Sequence, residues 1–304
     1  MNVKNFMSKQ SMILAVAVGM FFVSCGNDNT DAADKDELVE VADTIKTAVV
    51  NVGGELFSIP SPFQTALLIQ KTGISYDKQI LHTSSKVNTY NSDFLRAINL
   101  GIYGADLGYV SLYSQSQDAL SYLASLKQLA DKLGVSSAFD AATMQRIEAN
   151  ITNQDSMLVL VGIAYRSSDA FLKNSNRTDV SSLILTGGWL ESMHFTISAY
   201  NMKQANELKW RIAEQKQALT SLIKILSGYE SAEIAGLVAE LKDLATVYEG
   251  ISFKYNFVEP TVDEEKKITY INSTNEVNVT DEQLKQITEK VAAIRGKLVN
   301  STNS

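Results

Sequence analysis

Apolar residues recur along this chain at alternating three- and four-residue steps, the spacing that lines one face of an α-helix. Four stretches carry the pattern most fully. Ala119, Tyr122, Leu126, Leu129 and Leu133 form the first stripe, with Gly134 placed to end it. Ala205, Leu208, Ile212, Leu219, Leu222 and Leu226 form the second, interrupted only by Gln215 and closed by Gly228. Ile234, Leu237, Leu241, Leu244 and Tyr248 form the third, closed by Gly250. Leu284, Ile287, Val291, Ile294 and Leu298 form the fourth, entered through Thr280-Asp281-Glu282-Gln283, a capping box. Further helices are predicted near residues 140–150, 154–173 and 178–200. Connections such as Asn174-Ser175-Asn176-Arg177 are short, so successive helices should pack as antiparallel neighbours. The expected fold is all-α, a multi-helix antiparallel bundle.

Two places depart from this pattern. Residues 251–258 (ISFKYNFV) and 268–279 (ITYINSTNEVNV) are rich in β-branched and aromatic residues and partly alternate. They predict a two-stranded β excursion, spanning 251–279, that leans on the bundle and offers a docking edge. The other is Ser58-Ile59-Pro60-Ser61-Pro62-Phe63-Gln64, which holds two of the three prolines. Ser61 as N-cap, Pro62 at the first helical position and Gln64 reaching back predict a helix running to about Lys71.

Glycine placement adds a candidate site. In AINLGIYGADLG, residues Ala97, Gly101, Gly104, Ala105 and Gly108 fall on one helical face. Each helical glycine costs up to about 1 kcal/mol against alanine, so something should approach that backbone closely. A second helix or a ligand would serve. Tyr103 and Tyr109, with Pro60, Pro62 and Phe63, complete a candidate ligand or partner groove. Gly187-Gly188-Trp189 is a second weak point, and the two glycine faces could meet in one seam.

Composition narrows the function. Three prolines and sixteen glycines among 304 residues favour long helices, and a hydrophobic share of 45% suits a packed core. The net charge is −7 and no basic run appears, which sets nucleic acid aside as a partner. Only His82 and His194 could supply imidazole. Glu191 lies one turn before His194, half of a carboxylate metal site, but no second such pair appears. No metal, no cofactor and no catalytic residue is therefore expected. Neither a Gly-x-Ser-x-Gly elbow nor a phosphate loop nor a dinucleotide fingerprint is present, and the chain reads as a non-enzyme.

The N-terminal segment suggests where the protein works. Lys4 and Lys9 precede twelve uncharged residues from Met12 to Val23, followed by Ser24 and the only cysteine, Cys25. Twelve helical residues rise about 18 Å, too short for a hydrocarbon core of about 30 Å. The order is that of a secretory signal. Phe22-Val23-Ser24-Cys25 resembles the lipobox of bacterial lipoproteins, with Phe22 in place of the usual Leu. That resemblance implies cleavage before Cys25, a diacylglyceryl thioether on its sulfur and a palmitate-type acyl chain on the new amino terminus. It divides the chain into a signal peptide (1–24), a lipidated acidic tether (25–45) and one helical domain (46–304). Loss of Lys4 and Lys9 leaves 25 basic against 34 acidic residues, about −9. Gly26 after the cysteine implies, on the same resemblance, sorting to the outer membrane of a Gram-negative bacterium. The periplasmic and cell-surface faces both stay open. Asp43-Thr44-Ile45 and Asp155-Ser156-Met157 also resemble the short O-glycosylation sequon of secreted Bacteroidota proteins.

Together these features lead to an expected role as a membrane-anchored helical scaffold or a partner subunit of an envelope assembly. The alternative is a lipoprotein that binds a small molecule or glycan in the inter-helix groove.

Overall fold

The computed structural model describes residues 47–52, 55–138, 141–151 and 153–300. The expected signal peptide, Cys25, the expected tether and the sequon-like Asp43-Thr44-Ile45 lie outside the described residues. The fold is an all-α bundle with a β excursion before its last helix. Among the described residues there are ten α-helices: α1 (Pro62–Lys71), α2 (Asp93–Leu112), α3 (Ser116–Lys132), α4 (Ala141–Ala149), α5 (Gln154–Asn174), α6 (Thr178–Met202), α7 (Asn206–Ala213), α8 (Lys216–Leu226), α9 (Ala232–Glu249) and α10 (Asp281–Asn300).

α2 and α6 form the centre and pack along their lengths, with α1, α3, α5, α7, α8 and α10 arranged around them. Both are apolar on nearly every face, which is why they can be enclosed on all sides. The outer helices keep the one-sided stripes that predict them. Leu284, Ile287, Val291, Ile294 and Leu298 of α10 are all buried, as are Ile234, Leu237, Leu241, Leu244 and Tyr248 of α9.

Helix ends follow their local chemistry. Thr280 Oγ1 accepts from Gln283 N at 3.2 Å, and Gln283 Oε1 accepts from Thr280 N at 2.9 Å, the reciprocal capping box of α10. Gly134 adopts φ +66° after α3. Val135 N then donates to Ala130 O and Gly134 N to Asp131 O, which satisfies the last carbonyls of the helix. At α1, Pro62 occupies the first turn as expected, but the Ser61 hydroxyl accepts no bond from the helix. The box with Gln64 is not formed. The second predicted stripe is not one helix but two, α7 and α8. Gln215 is buried where they meet because its Oε1 accepts from the indole N–H of Trp189 at 3.0 Å.

Strands appear in two places. β1 (Thr47–Val52) and β2 (Glu55–Pro60) pair antiparallel from Thr47↔Pro60 to Val52↔Glu55, and β2 packs on α8. This ladder stands in a stretch that shows no helical stripe. The excursion before α10 is a chain reversal carrying two successive ladders. β3 (Ser252–Asn256) pairs with β6 (Thr274–Asn278), and β4 (Thr261–Asp263) pairs with β5 (Ile268–Tyr270).

Candidate functional site

The glycine seam exists, and it is filled by helix. A Cβ placed on Gly101 would lie 1.9 Å from Ile184 O, and one on Gly187 would lie 2.0 Å from Ile98 O. α2 and α6 therefore touch backbone to backbone at this crossing. Gly188 faces Pro62, and Gly108 faces Phe63, so α1 seals the neighbouring stretch. Gly104 is a correction: nothing lies within 4 Å of a Cβ there, so it takes no part in the seam. Tyr103 and Tyr109 are wholly buried, and Phe63 is nearly so. Tyr109 packs on Phe195 at 5.0 Å and its hydroxyl accepts from Asp77 N at 3.2 Å. The candidate groove residues Gly101, Gly108, Tyr103, Tyr109, Pro62 and Phe63 thus line contacts between protein elements. Pro60 ends β2.

Both histidines enter one buried polar centre that the sequence pattern does not announce. It lies where α2, α3, α6, α10 and the loop at residues 78–90 converge. Glu191 of α6 is fully buried and receives a two-pronged bond from Arg295 of α10, Nε to Oε2 and Nη2 to Oε1, each 2.6 Å. Asp106 of α2 is equally buried, close enough to Glu191 for the two carboxyl charges to oppose each other. Asp106 Oδ1 receives the His82 backbone N–H at 3.5 Å, while Oδ2 finds no donor.

Two carboxylates and one guanidinium would leave a buried charge of −1, and one proton removes it. Burial, first, and the Glu191 charge, second, hold the Asp106 carboxyl well above the usual carboxylate range, against the pull of Arg295.

The loop is held in place from below. Tyr122 Oη donates to His82 O at 2.7 Å and Tyr103 Oη to Thr83 O at 2.9 Å. His194 Nε2 donates to Ile80 O at 3.0 Å. The His82 ring stacks on Tyr103 at 5.1 Å and hydrogen-bonds Tyr90 Oη through Nε2. Burial pushes the His82 imidazole down to about 3 and lowers His194, so both rings are neutral around pH 7. Glu191 and His194 are thus separately engaged, by Arg295 and Ile80. Among the described residues, no group of three or more His, Cys, Asp or Glu is placed to hold a metal ion.

The surface offers a contrasting feature. Among the described residues ten large apolar side chains are exposed, and eight of them lie between residues 253 and 271. Tyr255, Phe257 and Ile271 are 61%, 70% and 80% exposed. Phe253 and Tyr255 share one face of β3, and Phe257 continues the alternation. The row starts at the body, where Trp210 meets Phe253 edge-on with centroids 5.3 Å apart, and runs outward with Tyr255 and Phe257 at 6.5 Å. Beside Trp210 an open hollow of about 370 Å³ is lined by Leu68, Asn206, Glu207, Arg211 and Glu214. The pattern of 251–258 indicates a strand but not its exposure, because an alternating segment reads alike whether its apolar face is covered or bare.

No protein-family model, no curated protein and no solved structure matches the chain. No described helix is long and apolar enough to cross a membrane.

Proposed function

We propose that this chain is a non-enzymatic lipoprotein of the outer membrane, anchored through Cys25, whose helical body serves as a scaffold or partner subunit of an envelope assembly. The observation that carries this reading is the concentration of bare aromatic and aliphatic side chains on the β3–β6 arm, standing on a body whose other apolar stripes are buried. Apolar patches beyond a few hundred Å² mark interaction surfaces. The buried polar centre supports a structural part for the body. Its carboxylates engage Arg295 and a loop amide, which ties α6 to α10 and α2 to the loop.

The anchor fits the same picture. A single acyl chain binds marginally, whereas several hold firmly. Residues 25–45 would then serve as a tether, whose six acids between Gly26 and Glu40 favour solvation.

Affinity capture from detergent-solubilised membranes tests the role. The full chain should recover a stoichiometric protein partner or a second copy, and Phe257→Ser with Ile271→Ser should lose it while the melting temperature stays the same. Recovery of a lone monomer from both forms would contradict the reading. Intact mass of the cellular protein tests the anchor separately, since a bare thiol on Cys25 would remove it.

A further inference from the structure

Resting on the reading of the arm as a docking surface, we propose that its occupant is the arm of a second copy of this chain. The two β3 strands would pair antiparallel about a two-fold axis at Tyr255, giving a four-stranded sheet in the order β6-β3-β3′-β6′.

Three observations select this occupant. The first is the patch. Phe253, Tyr255 and Phe257 form an exposed aromatic row along β3, within a cluster of eight exposed large apolar side chains on the arm. Off the arm, the exposed large apolar side chains among the described residues are Leu120 and Met202 alone. The surface of matching size and character is therefore another arm.

The second is the edge. Among the described residues β3 and β6 pair only with each other, so each keeps a free row of backbone donors and acceptors. A lone two-stranded ladder is marginal in water, and two more strands with a shared apolar face relieve that.

The third is the register. Centring the axis on Tyr255 places Phe253 opposite Phe257′, Lys254 opposite Asn256′ and Tyr255 opposite Tyr255′. Six aromatic rings then share one face, where cross-strand aromatic pairs are favourable. No like charges oppose each other. Centring on Lys254 instead would set two ammonium groups face to face. The two-fold closes the assembly as a dimer rather than a fibre.

Cysteine substitution reads the register directly. Residues on the axis have Cα atoms about 4.5–5.5 Å apart, inside the span of a disulfide. Two copies of residue 254 would lie on a diagonal of about 7–8 Å, at or beyond that span, and on the other face. In the full chain in its own membranes, Tyr255→Cys should give a covalent dimer on mild oxidation, while Lys254→Cys and the wild type, which supplies the Cys25 baseline, should not. In detergent, Tyr255→Asp should weaken self-association at least tenfold, read by sedimentation velocity.

A monomeric Tyr255→Cys chain, equal cross-linking at 254 and 255, or a dimer untouched by Tyr255→Asp would each overturn the proposal. Capture of a different protein by a monomeric wild-type chain would overturn it too, yet leave the docking role standing.

Discussion

Asp106 concentrates the residue-scale physics of this protein. Its proton is taken up at ordinary carboxylate pH in the unfolded chain but held to a much higher pH in the fold. The stability it contributes is full below about pH 4 and is lost as pH rises toward the raised folded value. Interacting with it are Glu191 from α6, Arg295 from α10, Tyr103 from its own helix, Tyr122 from α3, and Tyr76, His82 and Tyr90 from the segment before α2. The histidines act with the opposite sign. Their lowered values give stability that is present above about pH 6.5 and falls away as pH drops, toward about 3 for His82.

Asp106→Asn should therefore gain on the wild type by up to about 1.4 kcal/mol per pH unit between pH 5 and the raised Asp106 value. Denaturant unfolding across that window checks it, and parallel pH curves for the two proteins would refute the raised Asp106 value. Removing the cation is harsher. Arg295→Gln leaves Glu191 buried without its partner and should cost about 3–5 kcal/mol in the same assay.

At the scale of elements, the α2–α6 crossing makes the clearest prediction. Gly101→Ala would drive a methyl into Ile184 O, and because that atom is backbone the helices must separate. A loss of at least about 3 kcal/mol, at the upper end of overpacking costs, is expected. Gly104→Ala meets open space and should be neutral or gain up to about 1 kcal/mol from helix propensity. Thermal melting of both variants checks the pair, and equal melting would refute the seam.

The same elements show what local pattern can and cannot carry. The stripes of α3, α9 and α10, the Thr280–Gln283 box and the turn at Gly134 are legible because each is written within a few residues. The break at Gln215 is not, since its cause is Trp189, far off in sequence, whose indole needs an acceptor. Asp106, Glu191 and Arg295 look like ordinary polar positions on their own helices. Only tertiary contact across 104 residues makes Glu191 and Arg295 one centre. β1 and β2 carry a different signal, the two-residue Gly53-Gly54 spacing between apolar runs, which marks a hairpin once it is sought. The seam was written in Gly101 and Gly187, but which of the glycines it used depended on the rotation of α2.

For the whole molecule, the contrast between body and arm is what supports the proposed docking role. The body buries its helix faces around a polar centre, while the arm keeps its apolar side chains in water. The anchor and tether would hold that body near a membrane, where an exposed patch is tolerable if a partner covers it.

Hydrogen exchange over residues 252–278 of the full chain tests this most directly, comparing native membranes with the same protein diluted in detergent. A docking arm predicts slow exchange along β3 in membranes that speeds up on dilution, while α2 and α6 stay equally protected in both. Identical exchange of the arm in the two states would contradict it.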